Sequence, residues 1–352
     1  MHTSKIIHGK VRDISLSDPI LYIDNEARGR SGHMGHPILN LGGGKIMDFN
    51  SNVSAVRCDG HSGFGFMEYR LSEDYGETFG DFHIVPYSYQ TLLDGLYSAI
   101  IETAVVCDDG SIVAFCNLFS QSDIGCCMPF QRPTYIRSTD GGETWEEARG
   151  LSGFEGRVYA SRYHEGVIYV LQFCNSDFLG KDEEHLYRLF ISRDNGLSFQ
   201  ELCVVPFAST LQRGYCNFIF DQQRRLIVYA YNAEKEEKMD YIISEDLGKT
   251  FGESGVCYLA RKIRNPQIAL FDGQFILHGR EADKINALVL YTSSDGIHWD
   301  EGTRIVDIHP AISFYSNNAV IEKDGKSRLL LQYSQTYKES CCVNIYHMWI
   351  DN

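Results

Sequence analysis

The chain has 352 residues, 43% of them hydrophobic and 12% aromatic, and a formal net charge of −15 at pH 7. This composition excludes a disordered chain, and the length suits a repeat architecture that closes on itself better than one compact core. There is no basic patch and no apolar run long enough to cross a bilayer, so neither nucleic-acid nor membrane partners are expected; an anionic small substrate needs arginines clustered locally inside the acidic shell.

In chain order, Met1 to His8 lacks the apolar core of a signal peptide. The 11 cysteines include the vicinal pairs Cys126-Cys127 and Cys341-Cys342 but no C-x-x-C spacing. Together these features lead us to expect reduced thiols and a cytoplasmic location. His33 and His36 stand three apart in a glycine-rich loop without an identifiable third ligand, so no metal site is expected. The run Leu41-Gly42-Gly43-Gly44-Lys45 lacks phosphate-loop spacing and falls where two strands must turn.

From Ser72 onward one pattern recurs. Its copies are Ser72 to Phe79, Ser138 to Trp145, Ser192 to Phe199, Ser244 to Phe251 and, one residue shorter, Ser293 to Trp299. Each holds a serine, an aspartate two residues on, then a glycine and a closing aromatic. The physical reading is a hairpin: the aspartate accepts hydrogen bonds from its own turn, and glycine permits positive φ. Strands precede each copy, as in Tyr135-Ile136-Arg137, and two more lie upstream, as in Thr103 to Val106 and Ser111 to Phe115 around Asp109-Gly110. Four short strands per ~50 residues predict a propeller blade. Tyr315 to Trp349 supplies only three strands and no copy of the pattern. Lys5 to Leu16 is the natural donor of the fourth, which closes the ring and removes open edges. The expectation is an all-β, six-bladed β-propeller with four-stranded blades, a single domain over residues 1–352. Glu234 to Lys238 reads as a solvated loop.

The repeated S-x-D-x-G-x-T-W/F pattern resembles the Asp-box of sialidases and related propellers, over roughly residues 30 to 352. In that superfamily the Asp-box marks the fold and sits away from the substrate, so its aspartates are structural. Aligned on the turn after each innermost strand, the channel openings read His33 to His36, Ile100 to Glu102, Arg157, Arg213 to Tyr215, Arg264 with Asn265, and Tyr315. The stretch Phe314-Tyr315-Ser316 resembles the sialidase segment whose tyrosine is the nucleophile. A phenol suits a sugar bearing a carboxylate at its anomeric carbon, since an attacking carboxylate is repelled there.

The resemblance implies further roles. Arg280 matches one of the three arginines that grip the substrate carboxylate. The usual Arg-Ile-Pro is replaced by Gly35-His36-Pro37, and the fourth blade has Gly214 or Tyr215 and Tyr231 where the family has glutamate and arginine. Arg157, Arg213 and Arg264 either rebuild an anion site or are ion-paired rim residues. Asp59, with His61 nearby and Asp48 as its rival, is the expected acid, and Glu102 the expected base for Tyr315. His36, Tyr215 and Asn265 are expected to touch substrate. Tyr87, Tyr89 and Tyr97 either stack on a sugar or cover the seam between the first two blades. The implied function is a sialidase-type glycoside hydrolase removing a terminal acidic sugar from an oligosaccharide, without a cofactor. The competing readings are a non-catalytic glycan-binding propeller and a glycosidase or lyase for another acidic sugar.

Overall fold

Short apolar runs punctuated by Asp and Gly turns produce antiparallel strands, and the strands assemble into six sheets. The structure is a computed structural model that describes residues 5–121, 127–181, 185–282, 286–309, 313–338 and 340–352; Cys126 lies outside the described residues. Blade 2 shows the plan: Tyr97–Val106, Ile112–Ser120, Thr134–Ser138 and Arg149–Gly150 pair in sequence order from the inside out. Blades 3, 4 and 5 repeat it, with inner strands Arg157–His164, Arg213–Phe220 and Arg264–Phe271.

Blade 6 starts at Ser316–Lys323 and continues through Lys326–Thr336 to Val343–Asp351. Its outer strands come from the chain start: Ser15 and Leu16 pair with Asp351 and Ile350, and Lys5–Ile7 then pairs with Ile14–Leu16. The expected closure is thus present, and Ile20–Ile23 adds a further strand to the same sheet. The six inner strands pack side by side in a closed ring around a channel.

Two elements depart from a plain blade. The inner strand of blade 1 is split into Arg30–Ser31 and Ile38–Gly42, both paired with Lys45–Ser54. The intervening residues, His33 to His36 among them, are therefore free to line the channel opening. Pro86–Leu93 forms a helix, with proline in its first turn where the missing N–H is harmless. It packs on Gly65–Ser72 of blade 1 and on Tyr97–Val106 of blade 2, and the Tyr87 hydroxyl meets that of Thr134 at 3.0 Å. Tyr87 thus covers the seam.

The five Asp-boxes share one hydrogen-bond scheme. In the second copy Ser138 Oγ accepts from Gly142 N (2.9 Å) and donates to Asp140 Oδ1 (2.8 Å), while Asp140 Oδ1 accepts from Thr144 N (2.9 Å). In the short fifth copy His298 takes the threonine's place: its N–H donates to Asp295 Oδ1 and its ring Nδ1 lies 2.7 Å from Oδ2. These bonds hold the carboxyls of Asp74, Asp140 and Asp246 down at about 2.

The glycine serves packing as well as φ. Gly196, at φ 82°, stands against blade 2, where an added Cβ meets Val113 Cγ2 at 2.5 Å. Gly248 meets Leu189 of blade 3 in the same way. Each turn is thus a wedge against the blade before it. The residue ahead of this glycine is also left-handed, yet tolerates Tyr75, Asn195 and Leu247. We expect Gly196→Ala to cost about 2–3 kcal/mol, from strain plus overpacking, and Gly141→Ala, which meets nothing within 4 Å, only about 1 kcal/mol. Urea denaturation of the two variants checks this; equal losses contradict the wedge.

Candidate functional site

Strands run away from the channel mouth at their N-termini, so residues that open the inner strands share one end, and the Asp-boxes occupy the other. Near the mouth each of blades 2 to 5 carries a β-bulge on its inner strand. Thr103 and Ile101 pair with consecutive residues of the next strand, leaving Glu102 out of register. Val158 and Ala160 do the same around Tyr159; Arg213 and Cys216 pair with Asn232 and Ala230, so Gly214 and Tyr215 together oppose Tyr231, and Arg264 and Gln267 pair with Arg280 and His278, so Asn265 and Pro266 together oppose Gly279. A bulge re-aims its extra residue. Glu102, Tyr159, Tyr215 and Asn265 consequently all line the narrow waist of the channel, together with His36 and Tyr315.

Above the waist lies a cavity of about 240 Å³. Arg157, Arg264, Arg280, Tyr215, Tyr315 and His61 bring polar groups to it, and Met34, Met128, Phe130 and Phe178 supply apolar wall. Phe314 adopts φ 68°, a costly region for a bulky residue, and its ring is fully buried in the core. That kink turns the next residue, Tyr315, into the channel. The Tyr315 hydroxyl lies 2.7 Å from the Tyr215 hydroxyl. His33 meets the Tyr315 ring edge-on at 4.4 Å, and the Arg280 guanidinium carbon lies 5.6 Å from its centre.

The arginines differ in how their charge is met. Arg157 forms a two-pronged ion pair with Glu102; burial opposes its charge, but Glu102 more than offsets this and the pKa stands well above the ordinary value. Arg264 is paired with Glu236, which also accepts from the Tyr231 hydroxyl at 2.5 Å. The loop expected to be solvated therefore turns a buried carboxylate inward. Arg280 is 5% exposed and has no carboxylate partner among the described residues; its Nε lacks any hydrogen bond, and neighbouring Glu281 is taken by Arg304. Arg280 also sits directly opposite Arg264 across the strand pair. Opposed like charges destabilise a sheet, and an unpaired buried guanidinium costs more. Glu236 already meets the charge of Arg264, so what an anion in the cavity relieves is the unpaired Arg280 guanidinium.

Other polar atoms around this space also lack protein partners: both ring nitrogens of His33, the Tyr159 hydroxyl and Asn265 Nδ2. Buried polar groups seldom stay unsatisfied without water or ligand. The rings of His33 and His61 are 5.0 Å apart; His33 is one of the aligned channel-opening positions, whereas His61 had no sequence signal beyond its nearness to Asp59.

Three expected residues are not brought here. Arg213 points to Asp240 and to the Leu211 carbonyl, and does not line the cavity. Asp59 is exposed in the turn Arg57–Gly60, where Cys58 and Asp59 are left-handed (φ 48° and 50°). Asp48 is fully buried elsewhere, bonded to His347 (2.8 Å), Gln332 (2.5 Å) and Asn50 (3.1 Å). Glu102 is at the waist, but its carboxylate is engaged by Arg157 and by Asn117 Nδ2 at 3.0 Å. No three metal-ligating side chains cluster among the described residues, so His33 and His36 gain no third ligand.

Comparison with known proteins agrees with this architecture. The BNR/Asp-box repeat family matches residues 136–147. No curated protein matches the sequence. Among solved structures, a protein of unknown function from Dyadobacter fermentans is 14% identical with a TM-score of 0.74, over 96% of this chain and 99% of that one. The intramolecular trans-sialidase from Ruminococcus gnavus, in complex with oseltamivir carboxylate, is 12% identical with a TM-score of 0.66, over 95% and 97%. A Trypanosoma rangeli sialidase in complex with the inhibitor DANA is 13% identical with a TM-score of 0.63; the match spans 91% of this chain and 55% of that one. At such identities the likeness establishes a shared fold alone: this chain is a six-bladed β-propeller with a BNR/Asp-box repeat at residues 136–147.

The buried histidines make a pH prediction. Burial, then the charges of Arg157 and Arg280, lowers His61 to about 4; burial lowers His36 to about 4 and His278 to about 3, and takes His33 well below its usual value. Below pH ~6.5 the unfolded chain binds protons that the native chain refuses, at up to ~1.4 kcal/mol per pH unit for each group. Stability should be full above pH ~6.5 and fall steadily as the pH drops toward 4. Thermal unfolding across this range checks it; a melting temperature unchanged down to pH ~4.5 contradicts it.

Proposed function

We propose that this propeller is a glycoside hydrolase of sialidase type that removes a terminal acidic sugar from an oligosaccharide. The single observation that carries the proposal is the buried, uncompensated Arg280 guanidinium beside the Tyr315 ring in a channel-mouth cavity. Arg280 grips the sugar carboxylate, because a guanidinium fork matches a carboxylate bidentately. Arg157 and Arg264, already neutralised by Glu102 and Glu236, shape the cavity and add little net charge. One cation without a carboxylate partner among the described residues suits a sugar with one negative charge.

In this reading Tyr315 Oη bonds to the anomeric carbon as the glycosidic bond breaks, the phenol proton passing to the departing oxygen; water then attacks the anomeric carbon, the Tyr315–sugar bond breaks, and a water proton returns to Tyr315. Tyr215 takes the position of a proton partner, bonded to the same oxygen. Burial raises the Tyr215 pKa, so it serves as a neutral hydrogen-bonding group. Neutral His61, its ring centre 6.5 Å from that of Tyr315, is the carrier for the Tyr315 proton: a substrate carboxylate on Arg280 offsets one of the charges that lower His61, raising its affinity for the phenol proton that it then gives to the leaving oxygen. Asp59 remains exposed beside it and takes part only if the turn Arg57–Gly60 rearranges.

A second reading, a glycan-binding propeller without chemistry, draws support from the Tyr315–Tyr215 bond: among the described residues no carboxylate bonds to the phenol, and Glu102 is taken by Arg157. Two substitutions separate the readings on a panel of fluorogenic sialosides and other acidic glycosides. Tyr315→Phe should lower hydrolysis by about 10³-fold or more while binding persists. Arg280→Met should weaken binding of the acidic sugar about 10- to 100-fold. Release of no product by the native protein, with equal glycan binding by native and Tyr315→Phe forms, rejects the hydrolase and leaves the binding propeller.

A further inference from the structure

The channel has a second chamber, of about 500 Å³, at the end away from Arg280, and the two share the waist where Asn317 lines both sides. Its walls come from all six inner strands and are mostly aliphatic, with Asn40, Asn317 and Asn318 as neutral polar groups. One charged side chain lines it: Arg162, on the inner strand of blade 3. Its guanidinium donates to the carbonyl of Ser161 (2.8 Å), to Asn217 Oδ1 (3.3 Å) and to the carbonyl of Ile268 (3.3 Å). Every acceptor is neutral. No carboxylate pairs with Arg162 among the described residues, and no acidic side chain lines the chamber. Burial lowers the Arg162 pKa to about 10, with no opposing charge to raise it.

A desolvated guanidinium held only by neutral oxygens is costly, and an anion is its natural complement. Each inner strand is a sheet edge, and an edge presents unpaired main-chain N–H and C=O groups in alternation. Arg162 occupies two of the carbonyls, those of Ser161 and Ile268, so an anion beside it can take main-chain N–H groups and meets no carboxylate. Besides the aliphatic walls the chamber has one aromatic ring, Tyr163, and no second cation, so a small ligand carrying its charge compactly suits it best.

We propose that the far chamber of the channel is a second anion site, in which Arg162 and inward main-chain N–H groups bind a small oxyanion such as sulfate or phosphate. Such an ion bridges blades 3, 4 and 5 through Arg162 and its acceptors, independently of any chemistry at Tyr315.

Calorimetric titration with inorganic sulfate, against sodium chloride at matched ionic strength, tests this. Native protein and Arg280→Met should both show saturable sulfate binding, with a matching rise in melting temperature. Arg162→Met should weaken that binding at least ~10-fold. Loss of all sulfate binding in Arg280→Met, which keeps Arg162 intact, overturns the proposal, since the anion then sits only at the mouth. Unchanged affinity in Arg162→Met overturns it as well. Where Arg162→Met does not fold, the Arg280→Met titration alone decides.

Discussion

Pairing of Ser15 and Leu16 with Asp351 and Ile350 turns six separate sheets into a ring. Without that pairing blade 6 has an open outer edge, and its hold on blade 1 rests on the Ile38, Ile46, Ile321, Leu330 and Trp349 cluster, on Asp48 with Gln332 and His347, and on the Arg328–Glu77 ion pair. The buried contacts of Ile7, Ile14 and Leu16 with Met348 and Ile350 make the closure an apolar one. Ring closure fixes the channel, and the channel alone brings Arg157, Arg264, Arg280 and Tyr315, far apart in sequence, to one cavity. The Asp-box wedges then set the spacing of successive blades from the opposite end.

Within the ring, bulges do the aiming. In blades 2 to 5 the inner strand is one residue too long for its partner near the mouth, and the surplus residue turns into the channel. Four blades thus contribute Glu102, Tyr159, Tyr215 and Asn265 by one device. Blade 1 breaks its inner strand altogether and contributes histidines. Blade 6 uses the left-handed Phe314 instead. The site is therefore built where regular pairing fails, while the Asp-box ends remain regular.

That division explains what could be read from the sequence. The Asp-box is a local turn whose serine, aspartate and glycine bond to one another, so five copies and the ring they imply were legible. So was the placement of Tyr315, Arg157, Arg264 and Arg280 at the mouth, because each opens or lies beside an inner strand. The counter-charges were not legible. Glu236 belongs to a stretch with the charge pattern of a solvated loop, yet it folds inward onto Arg264. Arg213 has the same position in its blade as Arg157 but finds Asp240 on the third strand of its own sheet. Asp59 is directed outward by two consecutive left-handed residues, a backbone choice that neither cysteine nor aspartate announces. Pro86–Leu93 was hidden as an aromatic loop, because its helix is too short to show a clear period.

The functional account rests on Arg280 being, of the arginines lining the mouth, the one without a carboxylate partner among the described residues. The most direct test is a crystal structure with a 2,3-unsaturated sialic acid analogue bound. The account predicts the ligand's carboxylate on the Arg280 guanidinium and its ring beside the Tyr315 hydroxyl. A carboxylate seated on another arginine, or a ligand bound outside the channel mouth, contradicts it.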